Sequence, residues 1–215
     1  MSHKTALEET LTYVQLQMSG EGTGHDWFHV ERVLKLALTI AEKESEVDMF
    51  VLQMVALLHD ITDWKFTDDT NNTKEREWMQ SLELDTDLIE RICRDIQAIS
   101  FKGGANPFKP TTIEAKIVQD ADRLDALGAI GIGRTFAFGG FKDREMYNPD
   151  KKPQEFATHE EYKKHEGTTI NHFYEKLFKI RDLMHTDTAK KIAKERETFM
   201  RTFLDEFYAE WNGER

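Results

Sequence analysis

Apolar residues recur every three or four positions through most of the chain, which is the period of an amphipathic helix. In the first half, this pattern predicts helices over about 5–18, 27–43, 48–60, 74–82, 86–100 and 113–128. Asp48 precedes the most apolar stretch and is expected to be the N-cap of the third helix. Glycine-rich or polar segments separate the helices at 19–24, 61–72 and 101–107. The apolar stripe of the first helix consists of Leu7, Leu11, Val14 and Met18.

The second half follows this pattern less regularly. Several glycines surround the aromatic segment 136–138 and give its backbone unusual conformational freedom. The polar segment 142–160 contains Pro149 and Pro153 and is expected to be a long loop. Two charged amphipathic helices are predicted from Thr168 onward, and their apolar residues are Phe173, Leu177, Phe178, Ile180, Ile192, Phe199, Phe203, Leu204 and Phe207.

The composition favours one helical domain. The 215 residues are 39% hydrophobic and 11% aromatic, which is enough for one sizeable core. Only four prolines and no strand-like alternation favour an all-α fold, and neither an internal repeat nor a clear linker divides it. The formal net charge of -11 argues against a nucleic-acid-binding surface, because such binding needs clustered lysine and arginine. The negative net charge does not exclude a small phosphorylated ligand, since a bound cation and a few basic residues make the electrostatic potential within a pocket positive.

The single cysteine, Cys93, cannot form an internal disulfide, which fits a reducing cytoplasm. It lies in the partly apolar segment 88–93 and is interpreted as a small core residue rather than a nucleophile. The sequence has no signal-peptide pattern and no apolar run near the ~20 residues of a membrane span. These features predict a cytoplasmic protein without a membrane partner.

The most informative polar residues are His59 and Asp60, which close the apolar stretch 49–58. Two adjacent polar groups at the end of a buried helix are costly unless something pairs with them. A divalent cation does so when the imidazole nitrogen and the carboxylate are both ligands. His29 upstream and Asp122 downstream complete a predicted metal site of two imidazoles and two carboxylates.

Each of these residues also has an ordinary explanation when taken alone. A single histidine on an amphipathic helix is more often a hydrogen-bonded packing residue than a ligand, and Asp122 by itself fits a surface carboxylate. Asp120, Asp122 and Asp125 nevertheless crowd one short stretch and repel one another unless water or a cation intervenes. Asp122 and Asp125 share a helix face with Val118, so their carboxylates are expected to point towards a core position. The joint pattern therefore favours the metal site.

The order of His29, His59-Asp60 and Asp122 resembles the HD superfamily of metal-dependent phosphohydrolases. The surrounding sequence is similar to the small bacterial HD hydrolases of the YpgQ type. The segments that carry this resemblance are 24–33, 56–61, 100–104 and 119–128, with weaker similarity at 138–140 and 171–177. The resemblance implies one domain in which an HD helical bundle covers about 20–130. A helical C-terminal lobe over about 131–215 is expected to pack on that bundle.

The resemblance also implies a chemistry. Members of the superfamily hydrolyse phosphate esters or anhydrides with one divalent metal, and manganese is expected here ahead of magnesium, nickel or zinc. The YpgQ-type group implies cleavage of nucleoside triphosphates, ribo or deoxy, to the monophosphate and pyrophosphate, with the nucleotide as small-molecule partner. The alternatives are a 5'-nucleotidase or phosphodiesterase, or a metal-dependent nucleotide-binding protein without turnover. Self-association as a homodimer through the C-terminal helices also stays open.

Several residues beside the motifs are candidates for the reaction. Asp60 is predicted to bind the metal and also to orient the nucleophilic water. Asp63 is a candidate general base, with loop capping as the alternative. Triphosphate binding needs positive charge near the metal, and the candidates for it are Lys65, Lys102 and Arg123.

Some of these positions have equally plain explanations. Lys102 precedes two glycines that let the backbone approach an anion closely, but it also fits a solvated surface lysine. Arg123 offers a planar fork for phosphate oxygens, and alternatively pairs with a neighbouring aspartate. His172 lies in an aromatic context and is the candidate to line a base pocket. Asp26 either supports His29 from outside the ligand set or only caps the helix that follows.

Overall fold

The most apolar helix of the computed structural model is α3 (Met49–Leu58), in which eight of ten residues are buried. The structure describes residues 1–18, 26–62, 71–99, 108–156 and 167–215. Asp48 caps α3 as predicted, because its carboxylate accepts hydrogen bonds from the backbone N–H groups of Phe50 and Val51. All regular structure in the described ranges is helical, which confirms the all-α prediction.

The predicted helices of the first half agree with the observed bounds to within three residues. The other helices of this half are α1 (His3–Gln17), α2 (Trp27–Ala41), α4 (Thr73–Ser81), α5 (Thr86–Ile99) and α6 (Ile113–Asp125). The chain divides into two compact units, Met1–Asp122 and Arg123–Arg215, so the boundary falls near the end of α6. The organisation as one domain, with an HD core and a C-terminal lobe packed on it, stays a prediction.

Helix α1 packs on α3, and of its predicted apolar stripe only Val14 is fully buried. Ala6, Thr10 and Val14 are buried, whereas Leu11 is 39% exposed. The Thr10 hydroxyl donates to the Ala6 carbonyl and accepts a hydrogen bond from the indole Nε1 of Trp78 on α4. With its hydroxyl satisfied in this way, a threonine packs as a small core residue. The interior face of α1 therefore shares Val14 with the predicted one and has Ala6 and Thr10 in place of Leu11.

Cys93 is fully buried on α5, as predicted. Burial raises the pKa of its thiol to about 11. The thiol is therefore protonated at neutral pH, and this residue belongs to the core rather than to the chemistry of the protein.

The second unit contains α7 (Gly128–Phe141), a helix that its glycine-rich sequence did not predict. Gly131 and Gly139 lie where no side chain fits. A Cβ atom would lie 2.3 Å from the Ala126 carbonyl oxygen in the first case and 2.3 Å from the Thr169 hydroxyl oxygen in the second. These glycines therefore allow close packing of an ordinary helix instead of loosening its backbone.

The remainder of the second unit agrees in outline with the predicted loop and two helices. Residues 142–156, the described part of the predicted loop, contain turns and no helix. Three short helical pieces of different winding follow: a π-helix (Phe173–Leu177), an α-helical turn (Phe178–Ile180) and a 3-10 helix (Arg181–Leu183). The last helix, α8 (Asp187–Trp211), packs on α7. No helix within the described ranges is both long and apolar enough to cross a membrane.

Candidate metal centre

His29 lies in the first turn of α2, and its side chain is fully buried. The carboxylate of Asp26 accepts a hydrogen bond of 2.9 Å from the backbone N–H of His29 and thereby caps α2. Capping is therefore the observed role of Asp26. The cap fixes the start of the helix from which the imidazole projects.

His59 and Asp60 follow directly on the last turn of α3. The Nδ1 atom of His59 lies 2.8 Å from the carbonyl oxygen of Ala56. A carbonyl oxygen only accepts, so Nδ1 carries a proton and Nε2 is the ring nitrogen that is left to bind a metal ion. Nε2 is buried and has no hydrogen-bond partner among the described residues. A buried nitrogen with a lone pair is the donor that a metal site requires.

Four side chains from three parts of the first unit converge at this point. The Nε2 atom of His29 lies 3.3 Å from Oδ2 of Asp60 and 3.5 Å from Oδ1 of Asp122. The Nε2 atom of His59 lies 3.8 Å from Oδ1 of Asp60. One ligand atom each from His29, His59 and Asp122 lies within 4.8 Å of the other two. The structure thus brings together the four residues that the sequence pattern singled out as ligands.

The electrostatics of the cluster suit a cation. Burial acts to raise the pKa of Asp122, but a hydrogen bond to His29 and the charges of His29 and His59 hold that pKa below its ordinary value. The nearby Asp60 carboxylate opposes this lowering. Asp122 is therefore ionised at neutral pH, as a carboxylate ligand must be. The histidine side chains are almost fully buried while Asp122 is 29% exposed, so the cluster faces solvent on the side of that carboxylate.

The donor set fits a divalent metal ion. Imidazole nitrogen suits zinc, nickel and related transition metals, and carboxylate oxygen suits magnesium and manganese. Two nitrogens with two carboxylates match a borderline ion better than a calcium or structural zinc site, which need mostly oxygen or mostly sulfur and nitrogen ligands. His29, His59, Asp60 and Asp122 are the residues able to hold it.

Arg123 directly follows Asp122 in the chain, and its side chain makes contacts within the second unit. The guanidinium Nη1 donates to the carbonyl oxygen of Leu183 and lies 3.3 Å from Nε2 of His185. The structure thus shows Arg123 bonded to a backbone carbonyl, and its contact with a phosphate stays a prediction. The candidates Asp63, Lys65 and Lys102 lie outside the described residues.

His172 is half-buried in the second unit, at the start of the π-helical turn. Burial, together with the positive charges of Lys176 and Arg144, lowers the pKa of His172 to about 3. The imidazole is therefore neutral at physiological pH and offers a polar ring without a charge.

The sequence pattern did not single out two buried polar residues next to the cluster. Thr62, two residues after Asp60, donates a hydrogen bond of 2.6 Å from its hydroxyl to Oε2 of Glu75 on α4. Glu75 is fully buried although its helix is strongly polar. The one signal in the sequence was the spacing of four residues between Glu75 and Met79, which places both on the interior face of α4.

Residues 27–127 match the family model of the HD domain. YpgQ of Bacillus subtilis (strain 168) is 36% identical over 200 residues, which cover 92% of this chain and 89% of YpgQ. Its structure in complex with ADP has a TM-score of 0.74 at 33% identity, and the match covers 95% of this chain and 97% of the other.

Two further solved structures are similar over nearly their whole length. A Lactobacillus plantarum protein has a TM-score of 0.86 at 36% identity, with 99% of this chain and 100% of the other covered. An HD-superfamily hydrolase from Bacillus thuringiensis has a TM-score of 0.78 at 38% identity, with 98% and 99% covered. The four converging side chains all fall within the matched HD domain. The chain therefore belongs to the HD superfamily of metal-dependent hydrolases.

Proposed function

We propose that this HD-superfamily hydrolase cleaves nucleoside triphosphates, ribo or deoxy, to the monophosphate and pyrophosphate. The observation that carries the proposal is the convergence of His29, His59, Asp60 and Asp122 on one point. In the reaction, the oxygen of a water molecule bonds to the α-phosphorus. The bond from that phosphorus to the oxygen bridging to the β-phosphorus breaks, pyrophosphate leaves and a proton is released.

Manganese is the proposed metal, with magnesium, nickel or zinc as the alternatives. His29 and His59 would hold it through their Nε2 atoms, and Asp60 and Asp122 through carboxylate oxygens. When bound, the ion supplies Lewis acidity that lowers the pKa of water and neutralises charge on the phosphoryl group. Two imidazoles in the set favour manganese over magnesium, since magnesium prefers oxygen ligands.

The side chains of the protein supply orientation and charge. Asp60 places one carboxylate oxygen towards each histidine, so it is well located to hold the metal and to accept a hydrogen bond from the attacking water. Asp63 is proposed as the general base. Lys65, Lys102 and Arg123 are proposed to neutralise the triphosphate.

The nucleotide is the part of the proposal that rests on similarity. YpgQ, whose solved structure contains ADP, is related to this chain over most of its length. His172 is proposed to line the pocket for the nucleobase, with a ring that is neutral at physiological pH.

The test is a panel of ribo- and deoxynucleoside triphosphates, monophosphates and a phosphodiester, incubated with metal-stripped protein. Manganese, magnesium, nickel or zinc is added separately, and the products are resolved by anion-exchange chromatography. We expect monophosphate and pyrophosphate in equal amounts, with manganese giving the highest rate. Orthophosphate from a monophosphate would instead support a 5'-nucleotidase, and cleavage of the diester a phosphodiesterase. Nucleotide binding without turnover under all four metals would indicate a binding protein.

A further inference from the structure

We propose that Glu75 is a positioning residue for the metal centre, because it holds the turn that carries His59 and Asp60 through a buried hydrogen bond to Thr62. This inference rests on the proposed metal site. Glu75 belongs to α4, and the sequence pattern did not place this helix near the ligands.

The contact itself is short and shielded from water. The hydroxyl of Thr62 donates to Oε2 of Glu75 at 2.6 Å, and the two residues are 8% and 0% exposed. A distance of ~2.6 Å is at the short end of the range for O–H···O hydrogen bonds in proteins. The backbone N–H of Ile61 donates to the carbonyl of Leu58, so the turn continues directly from the end of α3. Thr62 therefore fixes the far side of the turn that holds His59 and Asp60.

Glu75 projects from a helix that is anchored by contacts away from the metal centre. The guanidinium of Arg76 donates to both carboxylate oxygens of Glu90 on α5. The indole of Trp78 donates to Thr10 on α1 at 3.0 Å. These two contacts tie α4 to two other helices of the first unit. Contacts that do not involve the metal centre therefore hold the helix that carries Glu75.

A fully buried carboxylate is a costly way to join a helix to a turn. An apolar residue of similar size would bury surface without the loss of hydration that a polar group suffers. The carboxyl acceptor of Glu75 has a reason if the turn must be held in one position, because apolar packing is less directional than a hydrogen bond. Hydrogen-bonding partners behind the ligands of a metal site commonly have this function, and their removal weakens metal affinity.

The experiment compares the affinity of metal-stripped variants for Mn²⁺ alone, measured by the EPR signal of the free ion, with their melting temperatures. Thr62→Val removes the hydroxyl and keeps the shape of the side chain. Thr10→Val is the matched control, since it makes the same change at a buried threonine whose hydroxyl bonds Trp78. We expect both variants to melt at lower temperature. Only Thr62→Val is expected to bind Mn²⁺ more weakly, by about tenfold, and Thr62→Ser is expected to restore the affinity.

Unchanged Mn²⁺ affinity in a folded Thr62→Val protein would overturn the inference and leave the hydrogen bond with a purely structural role. If Thr62→Val does not fold, Glu75→Gln gives the same test. It replaces the carboxyl group that accepts from Thr62 with an amide, so we expect affinity to fall about three- to fivefold, and unchanged affinity would again overturn the inference. Absence of Mn²⁺ binding in the unaltered protein would instead overturn the proposed metal site itself.

Discussion

The Nδ1 atom of His59 donates a hydrogen bond to the carbonyl oxygen of Ala56, one turn earlier in α3. The last carbonyls of a helix have no partner within the helix, so this imidazole satisfies one of them. The same bond orients the ring so that Nε2 is the nitrogen left for a metal ion, 3.8 Å from Oδ1 of Asp60. One hydrogen bond therefore both caps the end of α3 and orients His59 as a metal ligand.

Replacement of His59 by alanine is expected to abolish stabilisation by metal. A ligand that binds only the folded state raises the free energy of unfolding by about 2.7 kcal/mol at a hundred times its Kd. Saturating Mn²⁺ should therefore raise the melting temperature of the metal-stripped protein and leave that of His59→Ala unchanged, as measured by differential scanning fluorimetry. His3→Ala is the control, because His3 is exposed and its ring stacks on Phe50. An equal shift in His59→Ala would remove this residue from the ligand set.

The buried carboxyl group of Asp95 on α5 is expected to make stability depend on pH. Burial raises its pKa to about 6, and the negative charge of Glu114 contributes to this rise. A hydrogen bond from Thr112 and the positive charges of Arg91 and Arg94 act in the opposite direction. The folded state holds this proton more tightly than the unfolded state, whose pKa is near 3.8. Asp95 therefore contributes most to the free energy of unfolding below about pH 4. This contribution decreases as the pH rises and is lost once the pH exceeds about 6. The loss amounts to about 3 kcal/mol.

Asp95→Asn keeps an acceptor for Thr112 and removes the charge. At pH 8 it is expected to raise the free energy of unfolding by about 1–3 kcal/mol, and near pH 4 it should change little. Urea unfolding of the metal-stripped protein at both values measures this. The comparison with the unaltered protein at each pH cancels the titration of all other groups. A difference that is the same at pH 4 and pH 8 would contradict the assignment.

Two glycines of α7 are expected to respond in opposite directions to the same substitution. At Gly133 an added Cβ atom would have open space around it within the described part of the chain, so Gly133→Ala should stabilise the helix by about 0.5–1 kcal/mol. At Gly139 a Cβ atom would meet the Thr169 hydroxyl, so Gly139→Ala should destabilise the protein by about 1–3 kcal/mol. Chemical denaturation of both variants tests this. The Gly139 effect should shrink in a Thr169→Ala background if the clash is its cause.

Asp48 is expected to stabilise α3 chiefly as a cap. Asp48→Ala should lower the free energy of unfolding by about 1–2 kcal/mol, because two N–H groups at the helix start lose their acceptor. Asp48→Asn retains the cap and loses only the charge that faces Arg91 at 3.1 Å. That ion pair is substantially exposed, so the Asn variant should lose under about 1 kcal/mol. Equal losses in both variants, measured by urea unfolding, would assign the stabilisation to the ion pair.

Local signals in the sequence were enough to define most helices and the residues of the site. The positions of α1 to α6 follow from a period of three to four residues, and Asp48 caps α3 through atoms only two and three residues away. His29, His59, Asp60 and Asp122 were recognisable because a polar pair after an apolar helix is costly unless it is paired, and because their order is that of the HD superfamily.

Contacts between distant parts of the chain decided the rest. Helix α7 was not predicted because its many glycines are more typical of an irregular backbone. Gly139 is instead required by the close approach of Thr169, which is distant in the sequence. Leu11 was expected on the interior face of α1, but it is exposed, and Ala6 and Thr10 are buried instead, with Thr10 hydrogen-bonded to Trp78. The role of Glu75 likewise depends on Thr62, to which only the folded chain brings it.

The sequence by itself thus determined that the chain is helical and which four side chains are candidate ligands, because helix period, capping and residue type are local properties. The tertiary structure decided that His29 lies 3.3 Å from Asp60 and 3.5 Å from Asp122. It also decided that a buried Glu75 supports the turn beside them. These distances depend on how α2, α3, α4 and α6 pack, and packing is fixed by the shapes of all the interior side chains together.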